Sequence, residues 1–176
     1  MSYIKKWIDN IITSDLVYKL DIKNINEIPK IKKATLFINF TPATTSSYDI
    51  ICGLSILKFI SNEKPIVIRS DSSIPGSRLK KGTIIGCKCT LRKSTLYDFL
   101  DVLIFLILPR IKNLNFIKAD LDGNCTIVFD DSVLFSQFFN KDFDFNNNLK
   151  ITITLFIKSK NFIHSKAFLN SLQIPI

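Results

Sequence analysis

The sequence of 176 residues has few of the side chains that build metal and nucleophile sites. It contains one histidine, His164, and four cysteines, of which only Cys87 and Cys89 lie close together. A closed zinc site needs four Cys or His ligands at defined spacing, so we expect reduced, structural thiols in a reducing compartment. The remaining catalytic candidate is a Cys–His pair, but His164 falls in a modest C-terminal helical pattern that favours a surface or packing role.

Glycines and long apolar runs are also scarce. Three of only five glycines fall at positions 76, 82 and 86, a spacing that matches neither a Walker loop nor a dinucleotide-binding fingerprint. The longest apolar run, residues 102–108, is far shorter than the roughly 18 residues that a membrane span needs. We therefore predict a protein with no enzymatic activity, no cofactor and no bound metal, and without a membrane span.

The abundant residues carry a compositional bias. There are 29 Ile, 20 Lys, 15 Phe and 14 Asn, but only four Arg. AT-rich codons encode the four abundant types, and this bias is common in organelle genomes. The helical pattern starts directly after Met1, without an Arg-rich presequence or a secretory leader. We expect a mitochondrial, organelle-encoded protein, with a plastid or the cytoplasm of an AT-rich bacterium as alternatives.

Hydrophobic periodicity predicts an α+β fold in a single domain over residues 1–176. Helices are predicted at about 2–20, from 46 or 47 to 61, from 94 or 95 to 108, and at 163–172, and strands at 34–40, 66–68, 83–92, 125–129 and 150–157. The second helix should bury a stripe of Ile50, Ile51, Leu54, Leu57 and Phe59, and the third is apolar almost all round and should be deeply buried. This order favours a largely antiparallel sheet with helices packed on one face.

The formal charge of +9 is unevenly distributed. Residues 69–93 contain seven basic side chains and one acid, whereas residues 120–144 contain six aspartates and one lysine. A solvated face is the ordinary explanation of lysine-rich segments. Here, however, the cations alternate with strand residues beside a glycine-containing loop, which favours a surface that binds a polyanion.

The strand at 83–92 separates its side chains by chemistry. A period of two places Lys88, Thr90 and Arg92 on one face, and Cys87, Cys89 and Leu91 on the other, toward the helices. Cations and hydroxyls on a bare sheet face predict contacts to RNA phosphates and 2′-hydroxyls. Because this strand has no aromatic residue, we expect recognition of backbone and shape rather than of stacked bases. Whether Phe37 and Phe40 point into the core stays open.

A series of motifs then stands in order with close spacing. It comprises Lys64-Pro65-Ile66-Val67-Ile68-Arg69, Ser73-Ile74, Arg78-Leu79-Lys80-Lys81-Gly82, Ile85-Gly86-Cys87-Lys88-Cys89-Thr90-Leu91-Arg92, Tyr97-Asp98-Phe99-Leu100 and Leu108-Pro109-Arg110. With this block the chain resembles large-subunit ribosomal protein five, the universal family that binds 5S rRNA in the central protuberance. Weaker likeness at Ile28-Pro29-Lys30-Ile31, Asp122-Gly123-Asn124 and Leu172-Gln173-Ile174-Pro175 extends the resemblance over essentially the whole chain.

The resemblance implies a structural constituent of the mitochondrial large ribosomal subunit. Its partners would be central-protuberance rRNA (5S rRNA or its replacement), peptidyl-site tRNA, neighbouring large-subunit proteins and a small-subunit head protein across an intersubunit bridge. The implied rRNA-binding residues are Lys30, Lys32, Asn39, Arg69, Lys88, Thr90 and Arg92. The implied tRNA-facing loop, part of an extended segment at 70–82, contains Ser73, Ile74, Pro75, Gly76, Ser77, Arg78, Lys80, Lys81 and Gly82. The alternative is a free-standing RNA-binding accessory factor that uses the same basic sheet.

Two departures from the family pattern reduce the positive charge. Glu63 stands where the family has glutamine, and Ser70-Asp71-Ser72 replaces a basic Ala-Lys-Lys. These changes fit a divergent organellar ribosome in which 5S rRNA is altered or absent.

Overall fold

The computed structural model describes residues 2–40, 47–73, 76, 80–110, 117–120, 123–129 and 150–174. Most of the acidic segment at 120–144 lies outside these residues, as do four positions of the implied tRNA-facing loop, Ile74, Pro75, Ser77 and Arg78.

Four helices occur in the described residues. Helix α1 spans residues 3–20 and contains a π-helical turn, Ile8–Ile12, between the α-helical stretches Tyr3–Trp7 and Thr13–Leu20. Helix α2 is Ser47–Ser61 and helix α4 is Phe162–Ser171. Helix α3 spans residues 93–110, with an α-helical stretch at Lys93–Val102, a π-helical turn at Leu103–Ile107 and a 3₁₀ turn at Leu108–Arg110. A separate 3₁₀ turn, Ile25–Glu27, precedes the first strand.

Six strands form one sheet in the order β2-β3-β1-β6-β5-β4. Their bounds are Lys30–Asn39 for β1, Ile66–Arg69 for β2, Ile84–Leu91 for β3, Ile117–Ala119 for β4, Cys125–Phe129 for β5 and Ile151–Lys158 for β6. The β2–β3 and β4–β5 pairs are antiparallel. The predicted α+β fold with a largely antiparallel sheet is confirmed. The short strand β4 was not predicted, and β1 begins at Lys30, four residues earlier than expected.

The first of two compact units comprises Met1–Ala34, Leu91–Ile127 and Thr154–Ile176. Its helix α1 buries Ile4, Ile8, Ile12 and Leu16, which recur every four residues. A regular α-helix would rotate such a row by about 40° per repeat, since it has 3.6 residues per turn. The wider π-helical turn at Ile8–Ile12 reduces this drift and keeps the row on the buried side.

The N-terminus of helix α1 is capped from helix α3. The backbone N–H groups of Tyr3 and Ile4 donate to the two carboxylate oxygens of Asp101, at 2.9 Å and 2.8 Å. A negative charge at a helix N-terminus is favourable because it satisfies free N–H donors and complements the helix dipole. The prediction of deep burial all round helix α3 is wrong at Phe105 and Leu106, which are 46% and 43% exposed. These two residues lie in its π-helical turn.

The second unit comprises Thr35–Thr90 and Val128–Ile153. The apolar stripe predicted for helix α2 is largely wrong, because Ile51 is 61% exposed and Leu57 is the only predicted stripe residue that is fully buried. The buried positions are instead Cys52, Gly53, Ile56, Leu57 and Ser61. A Cβ on Gly53 would lie 2.6 Å from Cζ of Phe40, so helix α2 presents its small residues to the aromatic ring that follows β1.

Candidate nucleic-acid interface

Strand β3 has the two chemically distinct faces that its sequence predicts. Cys87, Cys89 and Leu91 are buried, whereas Lys88 and Thr90 are exposed. The Cys89 thiol reaches Ser61 Oγ at the end of helix α2, at 3.2 Å, so the thiol face is the one covered by a helix. The prediction that Lys88 and Thr90 face away from the helices is confirmed.

The remaining rRNA-binding candidates of the second unit end neighbouring strands. Asn39 is the last residue of β1 and Arg69 the last of β2, and both side chains are exposed. In the β2–β3 pair, Lys88 lies opposite Ile66, which is itself 61% exposed. We call the exposed side of these strands the outer face of the second unit, defined by Asn39, Arg69, Lys88 and Thr90.

The two aromatic residues left open by the sequence have opposite environments. Phe40 is 3% exposed and belongs to the core, whereas Phe37 is half-buried. The Phe37 ring lies over Gly86, where an added Cβ would be 2.9 Å from two ring atoms and would also collide with the carbonyl oxygen of Ile38. The missing side chain at Gly86 therefore makes room for the aromatic ring on the strand surface.

The β2–β3 connection is anchored by backbone hydrogen bonds. The Ser70 N–H donates to the Thr83 carbonyl, and the Gly82 N–H donates to the Ser70 carbonyl, both at 2.8 Å. Gly76 and Gly82 have left-handed φ angles of 81° and 87°, which glycine adopts without strain. All the described residues of the implied tRNA-facing loop are exposed, namely Ser73, Gly76, Lys80, Lys81 and Gly82.

In the first unit, Lys32 and Arg92 line one cavity of about 690 Å³. The other lining residues are Lys33, Asn124, Phe156, Ile157, Lys158 and Ser159. Four of these eight side chains are cations, and none of the described lining residues is acidic. The structure therefore brings two of the predicted rRNA-binding residues together and adds Lys33 and Lys158 to them.

The third predicted cation of this unit, Lys30, lines a different cavity. This space of about 340 Å³ is mostly apolar and also contains Asp9 and Tyr97. Burial, with a smaller contribution from the Asp9 charge, raises the pKa of Tyr97. Although Lys30 is exposed, the structure separates it from the cationic cavity that contains Lys32.

The sequence reasoning missed Lys33 because β1 does not alternate regularly. Ile31 and Ala34 are buried, Lys32 is exposed and Lys33 is half-buried, so two consecutive lysines face outward where the alternation changes phase. Lys158 and Phe156 could have been found, since they continue the outward positions of the alternating strand β6. Their approach to Lys33 has no local sequence signal, because 123 positions separate Lys33 from Phe156.

The thiols occupy the protein interior. All four cysteines are free and buried. Burial raises the pKa of Cys87 to about 11 and that of Cys125 to about 12, so these thiols are protonated at neutral pH. Across the described residues, no cluster of three or more potential metal ligands occurs, and no helix is long and apolar enough to cross a membrane.

Comparison with known proteins identifies relatives over nearly the full length. Residues 84–176 match the family model for the C-terminus of the ribosomal protein uL5 family. Large ribosomal subunit protein uL5 of Pediococcus pentosaceus is 35% identical over 150 residues, which cover 84% of this chain and 82% of the relative. The uL5 proteins of Fusobacterium nucleatum and Nitrosomonas europaea are 32% and 30% identical, with coverage of 97% and 99% of this chain and of 93% and 98% of the relatives.

These matches confirm the resemblance carried by the motif block between residues 64 and 110. The three relatives named here are bacterial, so a mitochondrial origin does not follow from them. The exposed basic strand surface and the full-length similarity lead to the same conclusion: the chain belongs to the large ribosomal subunit protein uL5 family and is a structural protein of the large ribosomal subunit, not an enzyme.

Proposed function

We propose that the outer face of the second unit binds rRNA of the central protuberance, either 5S rRNA or the RNA that replaces it. The alternation along β3 carries this proposal, since it exposes Lys88 and Thr90 and directs the intervening thiols into the core. Lysine and arginine neutralise phosphates, while threonine and asparagine side chains hydrogen bond to sugar and phosphate oxygens. Arg69 and Asn39 supply one group of each kind at the ends of the neighbouring strands.

Charge also supports rRNA as the partner. Residues 69–93 carry seven basic residues and one acid, and the described cations among them are exposed. Because each neutralised phosphate releases counterions, about six contacts correspond to a slope of roughly −4 to −5 in a plot of log affinity against log salt.

The test measures binding of a 5S rRNA transcript between about 50 and 200 mM KCl. Lys88→Ala and Arg69→Ala should each reduce the magnitude of the salt slope by about 0.7–0.9, with unchanged melting temperatures. Lys58→Ala is the matched control, because Lys58 is an exposed cation of the same unit on helix α2. Binding that is insensitive to salt, or an equal effect of Lys58→Ala, would overturn the proposal.

We further propose that the segment at 70–82 faces peptidyl-site tRNA, and that other surfaces meet neighbouring large-subunit proteins and the small-subunit head. The exposed Lys80 and Lys81 beside two glycines with left-handed backbone support the first contact. The abundance of Ile, Lys, Phe and Asn supports a mitochondrial ribosome, while the bacterial relatives favour the cytoplasm of an AT-rich bacterium. Locating the gene on an organellar or a bacterial genome decides between them.

A free-standing accessory factor would use the same outer face without being a stable part of the ribosome. The relatives favour an integral subunit, because those named above are all described as large ribosomal subunit proteins. Washing purified large subunits with high salt and measuring the retained protein separates the two roles. Retention after the wash is expected, whereas release with the wash fractions would identify an accessory factor.

A further inference from the structure

The cationic cavity of the first unit contains a cation–aromatic pair that decides what it can bind. Lys33 Nζ lies 4.2 Å from the centroid of the Phe156 ring. A stacked nucleic-acid base would need nearly the same position, because ring atoms in van der Waals contact lie about 3.5–4 Å apart. The ammonium group therefore already covers this face of the ring, and base stacking would require it to leave.

The donors around the pair suit an anion. Lys32, Arg92 and Lys158 are exposed cations that line the same cavity. The side-chain carbonyl of Asn124 accepts the Ile157 N–H at 3.3 Å, an arrangement that holds the amide while its NH₂ group retains two donor hydrogens. No described lining residue is a carboxylate, so no charge among the described residues opposes a phosphate at this place.

We propose that this cavity is a second binding site for the RNA backbone, in which Lys33, Lys158 and Arg92 hold phosphate and Phe156 orients the Lys33 ammonium. The inference rests on the proposed function, since it assumes that the chain binds rRNA. It adds a site outside the outer face of the second unit, and it assigns Phe156 to holding a cation rather than to stacking a base.

The test uses the full chain and a 5S rRNA transcript, with the salt slope and the dissociation constant as readouts. Lys33→Ala and Lys158→Ala should each reduce the magnitude of the slope by about 0.7–0.9. Lys158→Arg should restore it. Lys166→Ala, an exposed lysine of helix α4 in the same unit, is the matched control and should leave the slope unchanged. Thermal melting verifies that each variant is folded.

Phe156→Leu distinguishes phosphate binding from base stacking. Removing a stacking aromatic weakens binding by about fivefold or more, whereas loss of an orienting contact should weaken it less than about threefold. A loss above fivefold with Phe156→Leu, together with unchanged or tighter binding by Lys33→Ala, would overturn the proposal in favour of stacking.

Failure of the cavity and failure of the proposed function give different results. If the wild-type chain binds and Lys88→Ala lowers the slope while Lys33→Ala and Lys158→Ala do not, the cavity proposal is wrong and the proposed function stands. If the wild-type chain does not bind the transcript at any salt concentration tested, both are wrong.

Discussion

The Cys89 thiol lies 3.2 Å from Ser61 Oγ, and this contact joins the covered face of β3 to the end of helix α2. Ser61 is 3% exposed, donates its hydroxyl hydrogen to the Leu57 carbonyl at 2.6 Å and accepts the Glu63 N–H at 3.1 Å. The serine therefore connects the last helical turn, the following backbone and the strand. By holding Cys89 inward, the contact directs Lys88 and Thr90 outward, since neighbouring strand residues take opposite sides.

Ser61→Ala should destabilise the protein without affecting the RNA-binding surface. The free energy of unfolding should fall by about 1–3 kcal/mol, because the Glu63 N–H and the thiol lose a buried partner. Urea unfolding measures the change, and the affinity for the transcript should stay the same. Lys88→Ala is the complementary variant on the opposite face, with a stability change within about 0.5 kcal/mol and weaker RNA binding. Equal stability of Ser61→Ala and wild type would contradict the structural role of this contact.

Gly123→Ala should be more destabilising than an ordinary loop substitution. The residue has a φ of 79°, and an added Cβ would lie 2.7 Å from Cβ of Ser165 and would collide with its hydroxyl. The left-handed backbone and the overpacking together predict a loss of about 2–5 kcal/mol. Gly76→Ala is the control, because Gly76 has a similar φ of 81° with nothing within 4 Å of an added Cβ. The two variants should differ clearly in urea unfolding, and equal losses would argue against the close approach of Ser165.

Stability should decline at alkaline pH because buried thiols resist ionisation. Burial raises the pKa of Cys125 from 9.0 to about 12, and that of Cys87 to about 11. Above pH 9 the unfolded chain loses these protons first, so the folded state binds more protons and the free energy of unfolding falls with rising pH. The decline begins near pH 9 and ends for each thiol near its folded pKa.

Urea unfolding at intervals from about pH 8 to pH 11 measures this decline. Cys125→Ala lowers stability at every pH through the cavity that it leaves, but its curve should be flatter above pH 9. Curves of wild type and Cys125→Ala that run parallel would show that ionisation of this thiol does not contribute.

Charge removal in the segment at 70–82 should separate tRNA binding from assembly. Lys80→Ala combined with Lys81→Ala should leave incorporation into large subunits intact, because both side chains are exposed and make no described packing contact in the core. Binding of peptidyl-site tRNA to subunits that contain the double variant should weaken. Sucrose-gradient sedimentation measures assembly and filter binding measures tRNA affinity. An assembly defect with normal tRNA binding would show that the segment contacts other ribosomal components.

The faces of β3 could be predicted because their chemistry and their period agree. Cysteines and a leucine alternate with a lysine and a threonine, so the pattern has one solution when one side is covered. The buried face of helix α2 could not be predicted in the same way. Its apolar residues surround the helix, and the choice of face depends on the close approach of Phe40 to Gly53, which tertiary packing decides.

The cationic cavity also lay beyond the sequence. Lys32 and Arg92 were identified as RNA-binding residues, but their proximity depends on how β1, β6 and the end of β3 pair in the sheet. Lys33 joined them because of an irregularity in β1 that a strict period of two excludes. Lys30, placed in the same group by its charge, lies instead beside an apolar cavity with Asp9 and Tyr97.

The four shielded thiols make the chain its own reporter of opening. Cys125 lies in the first unit, and Cys52, Cys87 and Cys89 lie in the second. An alkylating reagent can reach each sulfur only when the surrounding unit loosens. Pulse labelling followed by peptide mass spectrometry would therefore time the fluctuations of each unit separately, with no engineered probe, and would show which unit becomes protected first as the ribosome is built.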